Sequence, residues 1–168
     1  VATDPAHYPE FGNTGPETIY PYFHGYRKFD KEGLVPEHYY GAGISYTTYT
    51  YSAPRVACSA GVAKDGLLVV DVDVTNSGAV AGTEIVQLYI GYPNTAARRP
   101  VKELKAFQRV TLAPGETKTV QLQVPAKDLA YFDMASNTWQ IEAVEHEVLV
   151  GPNADPASLQ KVAFSVLP

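Results

Sequence analysis

Hydrophobic and polar positions alternate most cleanly between residues 67 and 92, LLVVDVDVTNSGAVAGTEIVQLYIGY. Leu68, Val70, Val72 and Val74 share one face of the first run, with Val69, Asp71, Asp73 and Thr75 on the other. Asn76-Ser77-Gly78 interrupts the run with residues that tolerate turn geometry. From Glu84 to Ile90 the alternation resumes, with Val86, Leu88 and Ile90 on one side and Glu84, Gln87 and Tyr89 off it. Period two with one apolar face predicts a pair of antiparallel strands about the turn, each with one face buried.

The same grammar runs on downstream. Residues 55–63 predict a weak strand with Val56, Cys58 and Ala60 on one face, and PNTAARRP at 93–100 a polar loop. Residues 102–112 predict a strand carrying Leu104, Phe107, Val110 and Leu112, ended by the turn Ala113-Pro114-Gly115-Glu116. Val120, Leu122 and Val124 point inward from residues 117–124, and a short helical turn is expected at Lys127-Asp128-Leu129, before Tyr131-Phe132-Asp133. Strands at 138–141, 147–150 and 161–166 complete the set, the last with Val162, Phe164 and Val166 inward. Seven or eight short strands at spacings of roughly 8–12 residues predict an antiparallel β-sandwich over residues 55–168, its two layers ~10 Å apart.

Residues 1–54 lack both periods. Pro5, Pro9, Pro16, Pro21 and Pro36 rule out a long helix. The segment is too aromatic for a solvated linker: Tyr20, Tyr22, Phe23, Tyr26, Phe29, Tyr39, Tyr40, Tyr46, Tyr49 and Tyr51 need a surface to bury against. We expect an extended arm that wraps over another domain, one absent from this chain.

Composition narrows the function classes. Of 168 residues, 45% are hydrophobic and 18% charged, which supports a packed core rather than disorder. A net charge of -5 offers no basic stripe to replace counterions, so neither nucleic acid nor an anionic membrane is expected as partner. No segment approaches the ~18 consecutive apolar residues of a transmembrane helix. Cys58 is the sole cysteine, which excludes an intrachain disulfide and a cysteine-rich metal site; a small buried hydrophobe is expected there. The chain opens on Val1 in irregular sequence and shows no signal peptide, so we expect a processed or truncated product with further sequence N-terminal to it.

Sugar hydrolysis needs two carboxylates facing each other in different environments. Asp30, Glu32, Glu37, Asp71, Asp73, Asp133, Glu142, Glu145 and Glu147 are the candidates. Asp71 and Asp73 read as the polar face of a strand. Glu142, Glu145 and Glu147 with His146 read as a solvated loop in preference to a cation site. No pair stands out as acid and nucleophile. His7, His24, His38 and His146 are scattered without HxH or HExxH spacing, so no metal is expected. There is no G-x-S-x-G elbow, and Gly41-Ala42-Gly43 lacks the strand and helix of a nucleotide fingerprint. Trp139, the only tryptophan, is expected at a sheet edge or in the core rather than on a ligand. Taken together, no catalytic residue, no substrate-binding residue and no cofactor are assigned to this chain.

Three stretches carry a family resemblance. Gly25-Tyr26-Arg27-Lys28-Phe29-Asp30 resembles the GYRxFD segment of family 3 glycoside hydrolases of the β-glucosidase and β-xylosidase type. Residues 40–49, YGAGISYTTY, are similar to their FGxGLSYTTF signature, with Tyr40 for Phe and Ala42 for a larger or polar residue. Residues 72–91, VDVTNSGAVAGTEIVQLYIG, resemble the VTNTGxxAGxEVVQLYV core of the fibronectin type III-like domain that ends many of these enzymes. Lys102-Glu103-Leu104-Lys105-Ala106-Phe107, residues 112–117 and residues 128–133 continue the match in the family's order.

The resemblance implies an all-β, immunoglobulin/fibronectin type III-like antiparallel sandwich behind an irregular N-terminal arm. It also implies partners: the enzyme's N-terminal catalytic domains, on the same or a separate chain, which hold the carbohydrate substrate and carry both catalytic carboxylates upstream of anything here. Arg27 and Asp30 are expected to tie the arm to that partner domain by charge-assisted hydrogen bonds. A structural role follows, stabilising the catalytic domains or a homodimer of a retaining enzyme that removes terminal β-linked glucosyl residues. A periplasmic or secreted location is expected over a cytoplasmic one. The rival reading is a stand-alone carbohydrate-binding or adhesion module.

Overall fold

In a computed structural model, residues 22–57 and 61–167 are described. The elements in chain order are a helix α1 (Tyr26–Glu32) and ten strands: β1 (Tyr49–Tyr51), β2 (Arg55–Val56), β3 (Leu67–Asn76), β4 (Gly82–Gly91), β5 (Lys102–Leu112), β6 (Thr117–Pro125), β7 (Tyr131–Asp133), β8 (Thr138–Gln140), β9 (Glu145–Gly151) and β10 (Gln160–Ser165). A 3-10 turn at Ala126–Leu129 takes the place expected for a short helical turn.

Two sheets face each other. Sheet I has β3 at its centre, β6 along one edge and β1 and β2 end to end along the other. Sheet II runs β10-β9-β4-β5, all antiparallel. β7 and β8 form a separate two-stranded hairpin. The inward residues of β3 and β6 pair as expected, Leu68 with Val124, Val70 with Leu122 and Val72 with Val120. They meet Val86, Leu88 and Ile90 of β4 and Val148 and Val150 of β9 in one core.

Two expectations fail on topology. β3 and β4 are not paired with each other; they lie in opposite sheets, joined by the Asn76–Ala81 connection. Period two shows that each strand has a buried face, but it cannot distinguish a hairpin from an arch whose two strands face across a core. The weak strand at 55–63 reduces to Arg55–Val56 and an isolated parallel bridge between Val62 and Val166. Cys58 and Ala60, named on its inner face, lie outside the described residues, as do Tyr20 and His7.

Sheet II is buried on both faces, which one-sided alternation did not predict. Gln87 and Tyr89, on the outer face of β4, are buried as fully as Leu88 between them. Tyr89 forms a second cluster with Leu149, Ala154 and Leu159, flanked by Leu104 and by Tyr26 of α1. A bulge opposite Leu88 and Tyr89 leaves Lys105 unpaired. It sets Leu104 in the outer cluster and Ala106 against the main core, although the two are only two residues apart. Phe107 falls on the outer face beyond that cover and is 68% exposed.

Two buried polar side chains organise the interior. Asn76 is fully buried at the end of β3. Its Oδ1 accepts from the Thr47 hydroxyl at 2.6 Å and the Gly78 N–H at 3.1 Å. Its Nδ2 donates to the carbonyls of Val80 at 2.8 Å and Leu112 at 3.1 Å. One amide thus locks the segment before β1, the arch and the end of β5. His146 is also fully buried, between the rings of Tyr92 and Phe164 at 5.6 and 5.5 Å, with Nε2 3.2 Å from the Glu142 carbonyl.

Replacing Asn76 with Ala strands the Leu112 carbonyl and the Thr47 hydroxyl in the interior. Urea denaturation is expected to show a loss of at least ~2 kcal/mol. Burial depresses the His146 pKa below 6.5, with the Arg99 charge acting in the same direction. A depressed histidine leaves full stability above its unfolded value and costs stability below it, because only the unfolded chain then takes up the proton. Stability should therefore fall between about pH 7 and pH 5, and His146→Leu should flatten that part of the profile.

Candidate interaction site

The N-terminal segment does not hang free. Residues 22–46 run along the outer face of sheet II from the Gly91 end of β4 towards its Gly82 end, and then enter sheet I as β1. We call this segment the strap. Its first anchor is α1, seven residues long and closed by Gly33 in the left-handed region, φ 65°.

Three side chains of α1 engage three consecutive residues of β5. The Leu104 N–H donates to the Tyr26 hydroxyl at 3.0 Å. Arg27 pairs with Glu103 at 3.1 Å. The Lys102 ammonium donates to both oxygens of Asp30 at 2.7 Å, with side chains only 4% and 10% exposed. The expectation that Arg27 and Asp30 reach a partner domain is therefore corrected. Their partners are Glu103 and Lys102 of this chain, because the outer face of sheet II is apolar and requires a cover close at hand.

Glu103 is a charge hub. Besides Arg27 it faces Lys105 at 3.3 Å, Arg99 at 3.8 Å and the Tyr92 hydroxyl at 3.1 Å. Arg99 is buried with its guanidinium 3.5 Å from the centre of the Tyr92 ring. Burial pushes the Tyr92 hydroxyl pKa up despite the adjacent guanidinium, so it stays protonated as a donor. Arg99 also faces Glu142 at 3.7 Å. Burial alone would raise the Glu142 pKa, but hydrogen bonds from Thr95 and Ala96 and the Arg99 charge hold it below its ordinary value.

The second anchor is at Tyr40 and Gly41. The Tyr40 ring lies 5.1 Å from that of Tyr26, and its carbonyl accepts from the Ala154 N–H at 2.9 Å. Gly41 has φ 80°, and a Cβ there would run into the Gln87 amide. That amide is already committed, donating to the Pro152 carbonyl and accepting from the Tyr89 hydroxyl. Thr47 then closes the strap on Asn76. Between Gly41 and Thr47, Ile44 and Tyr46 are fully exposed. A recess of ≈ 640 Å³ opens between α1 and residues 35–40, walled by Phe29, Val35, Tyr39 and Tyr40. The strap thus spends one set of aromatic residues on its own sandwich and presents another outward.

The carboxylates considered for catalysis are spread through the fold. Asp30 serves Lys102, and Glu32 lies 3.8 Å from Lys28. Glu37 lines the strap recess. Asp71 accepts from Gln121 on the outer face of sheet I. Asp73, held at about 2 by Arg55 and Thr119, lies on the same face. Asp133 caps its own turn through Ser136. Glu145 and Glu147 flank His146 on β9, while Glu142 points to Thr95, so the mixed loop cluster does not assemble. Among the described residues, no group of three or more His, Cys, Asp or Glu side chains could hold a metal. Trp139 is neither in the core nor on a main sheet; it sits 70% exposed on β8, edge-on to Phe132 at 5.6 Å. Lys102, Glu103, Arg99 and Gln87 escaped notice in the sequence. The only signal was the apolar Tyr89 and Leu149 on a nominally polar face.

Comparison with known proteins supports the resemblance. A fibronectin type III-like domain profile matches residues 84–154. A β-glucosidase of Rhizobium radiobacter is 42% identical over 132 residues, covering 79% of this chain and 16% of that protein. The structure of DesR, a β-glucosidase from Streptomyces venezuelae, aligns with TM-score 0.75 and 38% identity over 86% of this chain and 18% of that one. A β-D-glucoside glucohydrolase from Trichoderma reesei aligns with TM-score 0.76 and 31% identity, covering 86% and 22%. The chain therefore spans about a fifth of the length of these relatives.

Lys102→Ala leaves the Asp30 carboxylate buried without its cation and is expected to cost about 3–5 kcal/mol. Replacing both partners, Lys102→Met with Asp30→Leu, should recover most of that loss. Denaturation of the two single variants and the double variant reads out the coupling.

Proposed function

We propose that this chain, which belongs to the family 3 glycoside hydrolases of β-glucosidase type as their C-terminal fibronectin type III-like region, acts as a structural clamp on the catalytic part of its enzyme. The observation that carries this reading is the division of the strap. Tyr26, Arg27 and Asp30 are engaged by the sandwich and the Tyr40 carbonyl is anchored to Ala154, whereas Ile44 and Tyr46, held between that anchor and Thr47, are left fully exposed. Pinned, exposed apolar side chains are what a docking face requires, since little ordering remains to oppose association. The enzyme's N-terminal catalytic domains are the partner, and they hold the carbohydrate and both catalytic carboxylates.

In the parent reaction one carboxylate attacks the anomeric carbon, a second protonates the leaving oxygen, and water resolves the glycosyl-enzyme. This chain supplies none of these groups. Its contribution is to hold the walls of the catalytic part in place, and the parent substrate is a terminal β-linked glucoside. One fold hosts many unrelated functions, so the reading rests on the strap and on the share of the relatives that the chain spans.

The 168-residue chain alone is expected to show no turnover of an aryl β-glucoside, and measurable hydrolysis by the pure chain would overturn the reading. In the parent enzyme, Ile44→Ser with Tyr46→Ala should weaken the docked state by about 2–4 kcal/mol. The melting temperature of the parent should fall while that of the isolated chain stays unchanged.

A further inference from the structure

We propose that the cleft between the β7–β8 hairpin and the loop joining β4 to β5 is a non-catalytic binding site for a saccharide chain. The cleft measures ≈ 670 Å³, and its walls come from three separated parts of the sequence. Trp139 and Met134 stand on the hairpin side, 70% and 88% exposed. Tyr22 of the strap and Arg98 of the loop stand opposite, with the Arg98 guanidinium 5.0 Å from the Tyr22 ring. Asp133 lies on the rim.

The chemistry of the walls selects the ligand. A pyranose ring presents flat C–H faces and a belt of hydroxyl groups that both donate and accept. Trp139 offers an exposed aromatic face for the former. Arg98 offers donors, and Asp133 an acceptor, for the latter. Asp133 is held in place by the Ser136 hydroxyl at 2.6 Å and by the N–H groups of Ala135 and Ser136 at 3.2 Å, so little side-chain freedom is lost on binding. Arg99, 3% exposed at its side chain, lines the floor, and its Nη1 makes no hydrogen bond among the described residues.

A protein partner is the competing occupant, and the lining argues against it. Lys, Glu and Asp are depleted from the cores of protein interfaces, whereas here Lys105, Glu103 and Asp133 are interleaved with the aromatic residues. The cleft also differs from the face assigned to domain docking, which lies around Ile44, Tyr46 and the strap recess. The choice of glucans as probes rests on the glycoside hydrolase reading, but binding by this chain involves no hydrolysis.

Trp139 is the only tryptophan in the chain, so its emission reports this cleft alone. Titrating the 168-residue chain with cellopentaose and laminaripentaose should give a saturable change in tryptophan emission with at least one of them. Arg98→Ala should keep the fluorophore and weaken that titration by about tenfold. Trp139→Ala should abolish retardation of the chain in gels cast with soluble β-glucan, while Tyr46→Ala should leave it unchanged. Unaltered emission with both probes together with no retardation overturns the proposal. So does shielding of Trp139 in the parent enzyme without any response to sugar, which would make the hairpin a second docking face. Neither result touches the clamp reading, which is read by the melting temperature of the parent.

Discussion

A β-sheet with apolar side chains on both faces must be covered twice, and this requirement shapes the path of residues 22–46. One cover of sheet II is ordinary: sheet I, closing the sandwich over Val86, Leu88 and Ile90. The other face carries Tyr89, Leu149 and Leu159, which would meet water if nothing lay over them. The strap completes that cover beside Ala154, and its charged residues are placed to make the cover specific. Burying Tyr26 could be done in many orientations, because hydrophobic contact is not directional. Lys102 with Asp30 and Glu103 with Arg27 admit only one, since any slip would leave charge buried and unmatched.

Burial and charge therefore divide the work along the strap. At its start the ion pairs fix register and the tyrosines give area. In its middle a close backbone approach takes over, with Gly41 lying against an amide already engaged at both its nitrogen and its oxygen. At its end Asn76 ties it to the arch between the sheets and to the end of β5. Each device fails in a different way, which makes the strap separable by mutation into parts that seat it and parts that present Ile44 and Tyr46.

Alternation made the sandwich legible. It placed Leu68 to Val74, Val120 to Val124 and Val86 to Ile90 inward, and these positions form the core. It did not give pairing, because β3 and β4 obey the same rule whether they lie side by side or across a core. Nor did it see the second cover: Gln87 and Tyr89 are polar enough to pass for solvent-facing residues, and they are buried by the strap and the segment after β9, both distant in sequence. The bulge at Lys105 broke the pattern within β5 and misdirected Phe107. Motifs in family order pointed to Arg27 and Asp30, but the identity of their partners is a matter of three-dimensional proximity, and one-dimensional spacing carries no trace of it.

The strap begins on one sheet and ends on the other, so it has a mechanical meaning as well as a thermodynamic one. Tension applied upstream of Tyr22 arrives first at α1, where it is resisted by the Asp30–Lys102 and Arg27–Glu103 pairs and the Tyr26 contact. The ladder of β1 and β3 lies further along, from Tyr49 onward, and stays unloaded until those contacts part. The helix behaves as a fuse: large movements of whatever is attached in front would peel the strap before they strained the sandwich. Reseating a short helix onto a preformed groove is a local event, so such an excursion would be reversible without the domain ever unfolding.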